Sequence, residues 1–168
     1  NMSYYIRVID IMKMDDFTVY QMDLMQRKKE GQVTKDAETI TRYLADNNIS
    51  AQQDSSGLMY VIHTSNGGTK PTTTNCVEVN YKGSFLKDGQ VFDQQAKIAF
   101  PLDRVIPGWQ RAIPMLGIGD SATFYIPSGL AYGPEGAQGV IPPDAILIFD
   151  VALLSIGNGF DQATGSCN

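Results

Sequence analysis

Val105-Ile106-Pro107-Gly108-Trp109 is the stretch on which the fold turns. Two apolar residues precede a proline suited to the first turn of a helix, and a tryptophan follows. A large apolar or aromatic side chain beside one polar group recurs at Val91-Phe92-Asp93 and again from Leu130-Ala131-Tyr132-Gly133 to Val140-Ile141-Pro142-Pro143. None of these pieces is a metal site, a phosphate loop or a nucleophile with its base. Between residues 81 and 149 they describe an aromatic cup with a few hydrogen-bonding groups on its rim. Such a cup would bind something small and apolar.

The segments around them are mostly strands. Cys76 to Phe85 alternates, with Val77, Val79 and Tyr81 on one side and Glu78, Asn80 and Lys82 on the other. Lys87-Asp88-Gly89-Gln90 is a hairpin turn, and Val91 and Phe92 start the return strand. Ile98 to Leu102 is short and extended, and Pro107 opens a helix that runs to about Ile113 before Pro114 ends it. Ala122 to Ile126 is a strand, Ser128 to Asp144 a long Gly- and Pro-rich loop of the length kept for function, and Ala145 to Ile156 a last apolar strand. Leu58 to Thr64 opens this domain. The expected class is α+β, a curved antiparallel sheet with one short helix across it. Residues 157–168 are expected to be a frayed tail.

The first third is helical. Phe17, Tyr20 and Leu24 recur at helical spacing, with Gly31 as a stop. A second helix is expected from a Thr34 cap, with Ala37, Ile40 and Leu44 on one face and Asn48 at its end. The type of residues 1–14 stays open, because Tyr4-Tyr5-Ile6-Arg7-Val8-Ile9 favours a strand while Ser3 could cap a helix. The expected division is an N-terminal helical extension at 1–56, the sheet domain at 57–156 and the tail at 157–168.

Composition narrows the function. The net charge is −5, and basic residues are scattered apart from Arg27-Lys28-Lys29, which argues against a nucleic-acid binder. No apolar run approaches the ~20 residues of a membrane span. Cys76 and Cys167 fit no metal spacing and read as two unpaired thiols; a bridge between them would need an oxidising compartment. His63 is the only histidine, and a lone His makes no metal site. No cofactor is expected.

Taken in order, Tyr81-Lys-Gly, Gly89-Gln-Val-Phe92-Asp93, Val105-Ile106-Pro-Gly-Trp109, Gly117-Ile-Gly-Asp, Leu130-Ala-Tyr132-Gly133, Ile141-Pro-Pro and Phe149-Asp-Val resemble the FKBP-type peptidyl-prolyl cis-trans isomerases. The likeness runs from about Gly67 to Ile156. The N-terminal helices resemble, more loosely, the extension of bacterial envelope members. The resemblance implies an FKBP-like sheet wrapped around the short helix. It implies catalytic roles for Asp93, Tyr132, Phe92 and Tyr81. It implies substrate-binding roles for Val105, Ile106, Trp109, Ile141, Phe149 and Ile98, with Trp109 as the floor. Expected partners are proline-containing polypeptides, with macrolide inhibitors as candidate ligands and the N-terminal helices as a candidate homodimer interface. The first residue is Asn1, read as the mark of a removed leader, and the expected location is the bacterial envelope, periplasmic or lipid-anchored.

Taken singly, Trp109 and Phe149 are ordinary core aromatics, Asp93 a turn residue and Tyr81 a strand residue; the joint pattern decides. Three departures bear on the pocket. Only Gln94-Gln95-Ala96-Lys97 separates Asp93 from Ile98, so Lys97 stands where many members have an Arg to pair with the Asp. Ile98 replaces a pocket aromatic, and Ala137 stands where some relatives carry a His. The shortened wall motivates an alternative function, a non-catalytic proline-segment chaperone; a third reading is a dimeric scaffold with the helices of residues 16–47 as interface.

Overall fold

The computed structural model describes residues 14–168 apart from Gln138. The ambiguous first stretch lies outside the described residues. Helix α1 spans Met14–Asp46, 33 residues without interruption. This corrects the expectation of two helices split at Gly31. A left-handed stop is favoured there only if nothing rewards continuation, and a mid-helix glycine costs only about 1 kcal/mol relative to alanine. Beyond Gly31, Ile40 and Leu44 are buried against the sheet, so continuing the helix docks an apolar face. Asn48 takes φ 55° just past the helix, as its expected role at the end requires.

The sheet has six antiparallel strands in the order β1-β2-β5-β6-β3-β4. They are β1 Gln52–Gln53, β2 Met59–Thr64, β3 Cys76–Phe85, β4 Val91–Pro101, β5 Ser121–Ile126 and β6 Leu147–Gly157. The short strand β1 falls in a segment that reads as polar turn. Helix α2, Pro107–Ala112, crosses one face. Alternation sorts the strands into two cores. Phe124, Ile126, Phe149 and Val151 face α2, together with Val77, Val79, Ile113 and Leu116. Their neighbours Tyr125 and Ile148 face the other way, onto Ile40 and Leu44 of α1. The fold is thus the expected α+β sheet around a short helix, with α1 as a further layer behind it.

Strand β4 is one element, where the sequence reads as two pieces. Tyr81 pairs with Gln95 but Val79 pairs with Ile98, so Ala96 and Lys97 together oppose Asn80. That is a β-bulge. Lys97 takes φ 52°, and its N–H donates to Asn80 Oδ1 at 2.7 Å, satisfying a donor the ladder cannot reach.

The last residues do not fray. Strands β7, Phe160–Asp161, and β8, Ser166–Cys167, form a small hairpin. Cys167 is bonded to Cys76 across 91 positions, with Cα atoms 5.5 Å apart. The two unpaired thiols of the sequence reading are therefore a disulfide. Among the described residues, no helix is long and apolar enough to cross a membrane.

Candidate functional site

The site is built where β3, β4 and β6 meet the start of α2. Pro107 lacks an N–H and sits at the first helical position, where none is needed. Ile106 caps the helix: its carbonyl accepts from Trp109 N–H at 3.0 Å and from Gln110 N–H at 3.2 Å. Among the described residues, the Ile106 N–H itself has no acceptor. A donor with a fixed direction is left at the rim.

One turn into α2, Trp109 is 5% exposed and meets three rings nearly at right angles. Its centroid lies 5.2 Å from Tyr81, 5.3 Å from Phe149 and 5.6 Å from Phe100. Phe92 meets Phe149 edge-on at 5.7 Å. Edge-to-face contacts of this kind each add about 0.5–1.5 kcal/mol beyond burial. Among the described residues, the buried Trp109 Nε1–H has no partner.

The polar rim is small. The Tyr81 hydroxyl donates a short hydrogen bond to Asp93 Oδ2. Burial first, then that bond, the Asp93 charge and nearby Tyr132 push the Tyr81 pKa well above the usual phenol range. Tyr81 therefore stays a donor at any ordinary pH, and Asp93 has one oxygen left for other work. Tyr132 is 41% exposed on the loop opposite. Ile141 is buried, and its backbone exchanges two hydrogen bonds with Ala137, at 2.8 and 2.9 Å, to brace the loop tip.

All ten predicted residues can therefore be located. Phe92, Asp93, Ile98, Val105 and Ile106 are half-buried, Tyr81, Trp109, Ile141 and Phe149 buried, and Tyr132 exposed. Two further residues escape the sequence reading. Phe100 packs edge-on against Trp109 and tilted against Tyr81, at 5.6 and 6.0 Å, completing the wall that Ile98 leaves thin. It lies two positions after Ile98 on the same strand face, so alternation could have found it. Gly83 is the other: a Cβ there would come within 2.7 Å of both Phe92 Cζ and Phe149 Cε1. His63 lies elsewhere, on the opposite sheet face, where its Nε2–H donates to Thr123 Oγ1 at 2.7 Å and that hydroxyl donates to Asp150 at 2.5 Å.

Comparison with known proteins agrees with this geometry. The family model described as FKBP-type peptidyl-prolyl cis-trans isomerase matches residues 67–154. A probable FKBP-type peptidyl-prolyl cis-trans isomerase FkpA of Neisseria meningitidis is 46% identical over 106 residues, 61% of this chain and 39% of that protein. A Legionella longbeachae protein named outer membrane protein MIP is 34% identical over 153 residues, 84% of this chain and 64% of that protein. The chain thus spans less than two thirds of these curated relatives. The crystal structure of FkpA from Escherichia coli superposes with a TM-score of 0.65 at 27% identity, covering 93% of this chain and 82% of that one. An aromatic floor on a proline-started helix, a Tyr–Asp pair at its rim and a family match over just over half the sequence lead to one conclusion: the chain belongs to the FKBP-type peptidyl-prolyl cis-trans isomerase family.

Proposed function

We propose that this chain binds Xaa-Pro segments in the aromatic cup and accelerates rotation about the prolyl bond of folding proteins. The observation that carries this is Trp109, set edge-on among Tyr81, Phe100 and Phe149, three residues after an Ile106 N–H that has no acceptor among the described residues. Rotation about a peptide bond faces a barrier of ~18–20 kcal/mol, since resonance gives the C–N bond double-bond character. The cis and trans forms of an Xaa-Pro bond differ by only about 0.5–1 kcal/mol. No covalent bond need break; the protein must favour the twisted bond over both planar ones.

The planar imide is the more charge-separated form, so an apolar cup that strips water from its carbonyl weakens the resonance. Trp109, Phe149, Ile141, Val105 and Ile98 hold the prolyl ring, with Phe92 against its edge. The Ile106 N–H donates to one substrate carbonyl and the Tyr132 hydroxyl to a second. Asp93, with Tyr81 holding one oxygen, sets a negative field beside the rotating group. Because Trp109 is nearly covered, the side chains packed over it must shift for the prolyl ring to reach it. Such rotamer changes are fast beside the reaction.

A protease-coupled assay on Xaa-Pro peptides tests the proposal, with acceleration lost on replacing Asp93 or Tyr132. A rate equal to the uncatalysed one rejects it and leaves a non-catalytic proline-segment chaperone. Competition by a macrolide inhibitor would show that the cup is the site.

The N-terminal half of α1 supports self-association. Val19, Met22 and Met25 are 66, 65 and 69% exposed there. Light scattering on the full chain and on a Met22→Asp, Met25→Asp variant tests it; two monomers refute it. The Cys76–Cys167 bridge and the relative named an outer membrane protein favour the oxidising bacterial envelope, periplasmic or lipid-anchored.

A further inference from the structure

We infer that Asp36 of α1 is a positioning residue for the site, acting through Ser128 on Tyr132; this rests on the isomerase reading above. Asp36 is only 2% exposed, although it lies on a helix that is mostly polar and solvated. A buried carboxylate is costly unless its oxygens are satisfied. Gln32 Nε2 donates to Oδ1 at 2.7 Å. Ser128, 92 positions away, donates twice to Oδ2: from its N–H at 2.9 Å and, in a short bond, from its hydroxyl. Among the described residues no cation pairs with Asp36.

Ser128 opens a single 3-10 turn, Ser128–Leu130, and Pro127 before it has no N–H to offer. Asp36 therefore caps a turn from another element. The Ser128 carbonyl faces the loop. It accepts from Ala131 N–H at 3.0 Å and from Gly133 N–H at 2.8 Å, the two residues that bracket Tyr132. Gly133 has φ 64°, which lets the chain turn back onto that carbonyl, and its own carbonyl accepts from Asp144 N–H at 2.9 Å. Among the described residues no hydrogen bond fixes the Tyr132 side chain, so its ring is aimed by its backbone. The backbone is hung from Ser128, and Ser128 from α1.

The helix is held in turn by Ile40, one turn beyond Asp36 and fully buried, and by Leu44. A movement of α1 on the back of the sheet would therefore reach the hydroxyl proposed to bind substrate. The extension is part of the site's mounting as well as a candidate interface.

The test uses the full chain with Asp36→Asn, which keeps one acceptor oxygen, and Asp36→Ala, which keeps none. Amide exchange is read at Ala131 and Gly133 and, for comparison, at core amides of β3 and β6. Both loop amides should exchange about tenfold faster or more in the alanine variant and by less in the asparagine variant, with core amides unchanged. In the isomerase assay kcat/KM should fall several-fold, mainly through KM, and the fall should vanish when Tyr132→Phe is already present. Unchanged exchange at Ala131 and Gly133, an equal change at every amide, or the same loss with and without Tyr132→Phe would overturn the inference. Should the wild-type chain fail to isomerise while the loop amides respond as expected, the isomerase reading falls and the link between Asp36 and the loop stands.

Discussion

Gly83→Ala measures how tightly the pocket aromatics are set. The added methyl would sit 2.7 Å from Phe92 Cζ and 2.7 Å from Phe149 Cε1, with Phe92 Cε2 at 3.1 Å. Ordinary carbon contacts begin near 3.4 Å, so one or both rings must retreat by roughly 0.7 Å. Phe149 has little room, being 4% exposed and pressed on Trp109 at 5.3 Å. Phe92 is half-buried and yields, away from Phe149 and along Phe85, whose ring is 4.9 Å off. Overpacking of this size costs about 1–3 kcal/mol. Against it stands the gain from removing a strand glycine, about 0.5–1 kcal/mol. The two terms leave a net loss of up to about 2.5 kcal/mol, read as a lower urea midpoint at unchanged slope. Displacing Phe92 from the prolyl edge should also lower kcat/KM by about tenfold, since 1.4 kcal/mol of lost transition-state contact is one decade. A second change, Phe92→Leu, should restore much of the stability but not the activity. A Gly83→Ala protein as stable as wild type, or more so, would refute the claim that the two rings leave no room for a methyl at this backbone.

Other expectations can be checked alongside. Cys167→Ser should lower the unfolding free energy by about 2–5 kcal/mol, as loss of a bridge closing so long a loop requires, and a change under about 0.5 kcal/mol would show that the tail hairpin holds without it. Ile40→Ala removes a fully buried side chain and should cost about 2–5 kcal/mol, with exchange protection falling first in residues 32–46. Asp120 accepts N–H donors from Asn66 at 2.7 Å and Gly117 at 2.8 Å, which holds its pKa below the usual carboxylate range. A lowered folded-state pKa gives stability that is complete above the unfolded pKa and lost as pH falls through the folded one. Wild type should therefore lose more stability than Asp120→Asn as urea midpoints are followed from pH 6 down to pH 2; parallel profiles would remove Asp120 from the account.

The strands, the turn at Asp88-Gly89 and the proline-started helix were legible because each rests on local pattern: alternation, turn chemistry, and a ring that presets φ. Gly31 misled because its local preference for a stop is outweighed by Ile40 and Leu44, which dock nine and thirteen residues later. The bulge at Ala96-Lys97 carries no composition of its own; it exists because Asn80 on the facing strand accepts from Lys97 N–H. Cys76 and Cys167 could not be paired from spacing, since the tail reaches β3 only by folding back as a hairpin. Of the cup, the rings on motif positions were readable, while Gly83 escaped because its role is an absence of atoms. Asp36 escaped because a charged residue on a polar helix announces nothing until Ser128 lies against it.

Helix α1 has a consequence for how the chain comes into being. Strands β5 and β6 are greasy on both sides, since Tyr125 and Ile148 lie against α1 while Phe124 and Phe149 lie against the cup. Such strands are hazardous while unpaired. During translation α1 leaves the ribosome before either of them, so Ile40 and Leu44 are already present when they emerge. A protein proposed to assist the maturation of others thus makes its own escort first, and β6, the last of the six sheet strands to emerge, meets a waiting cover.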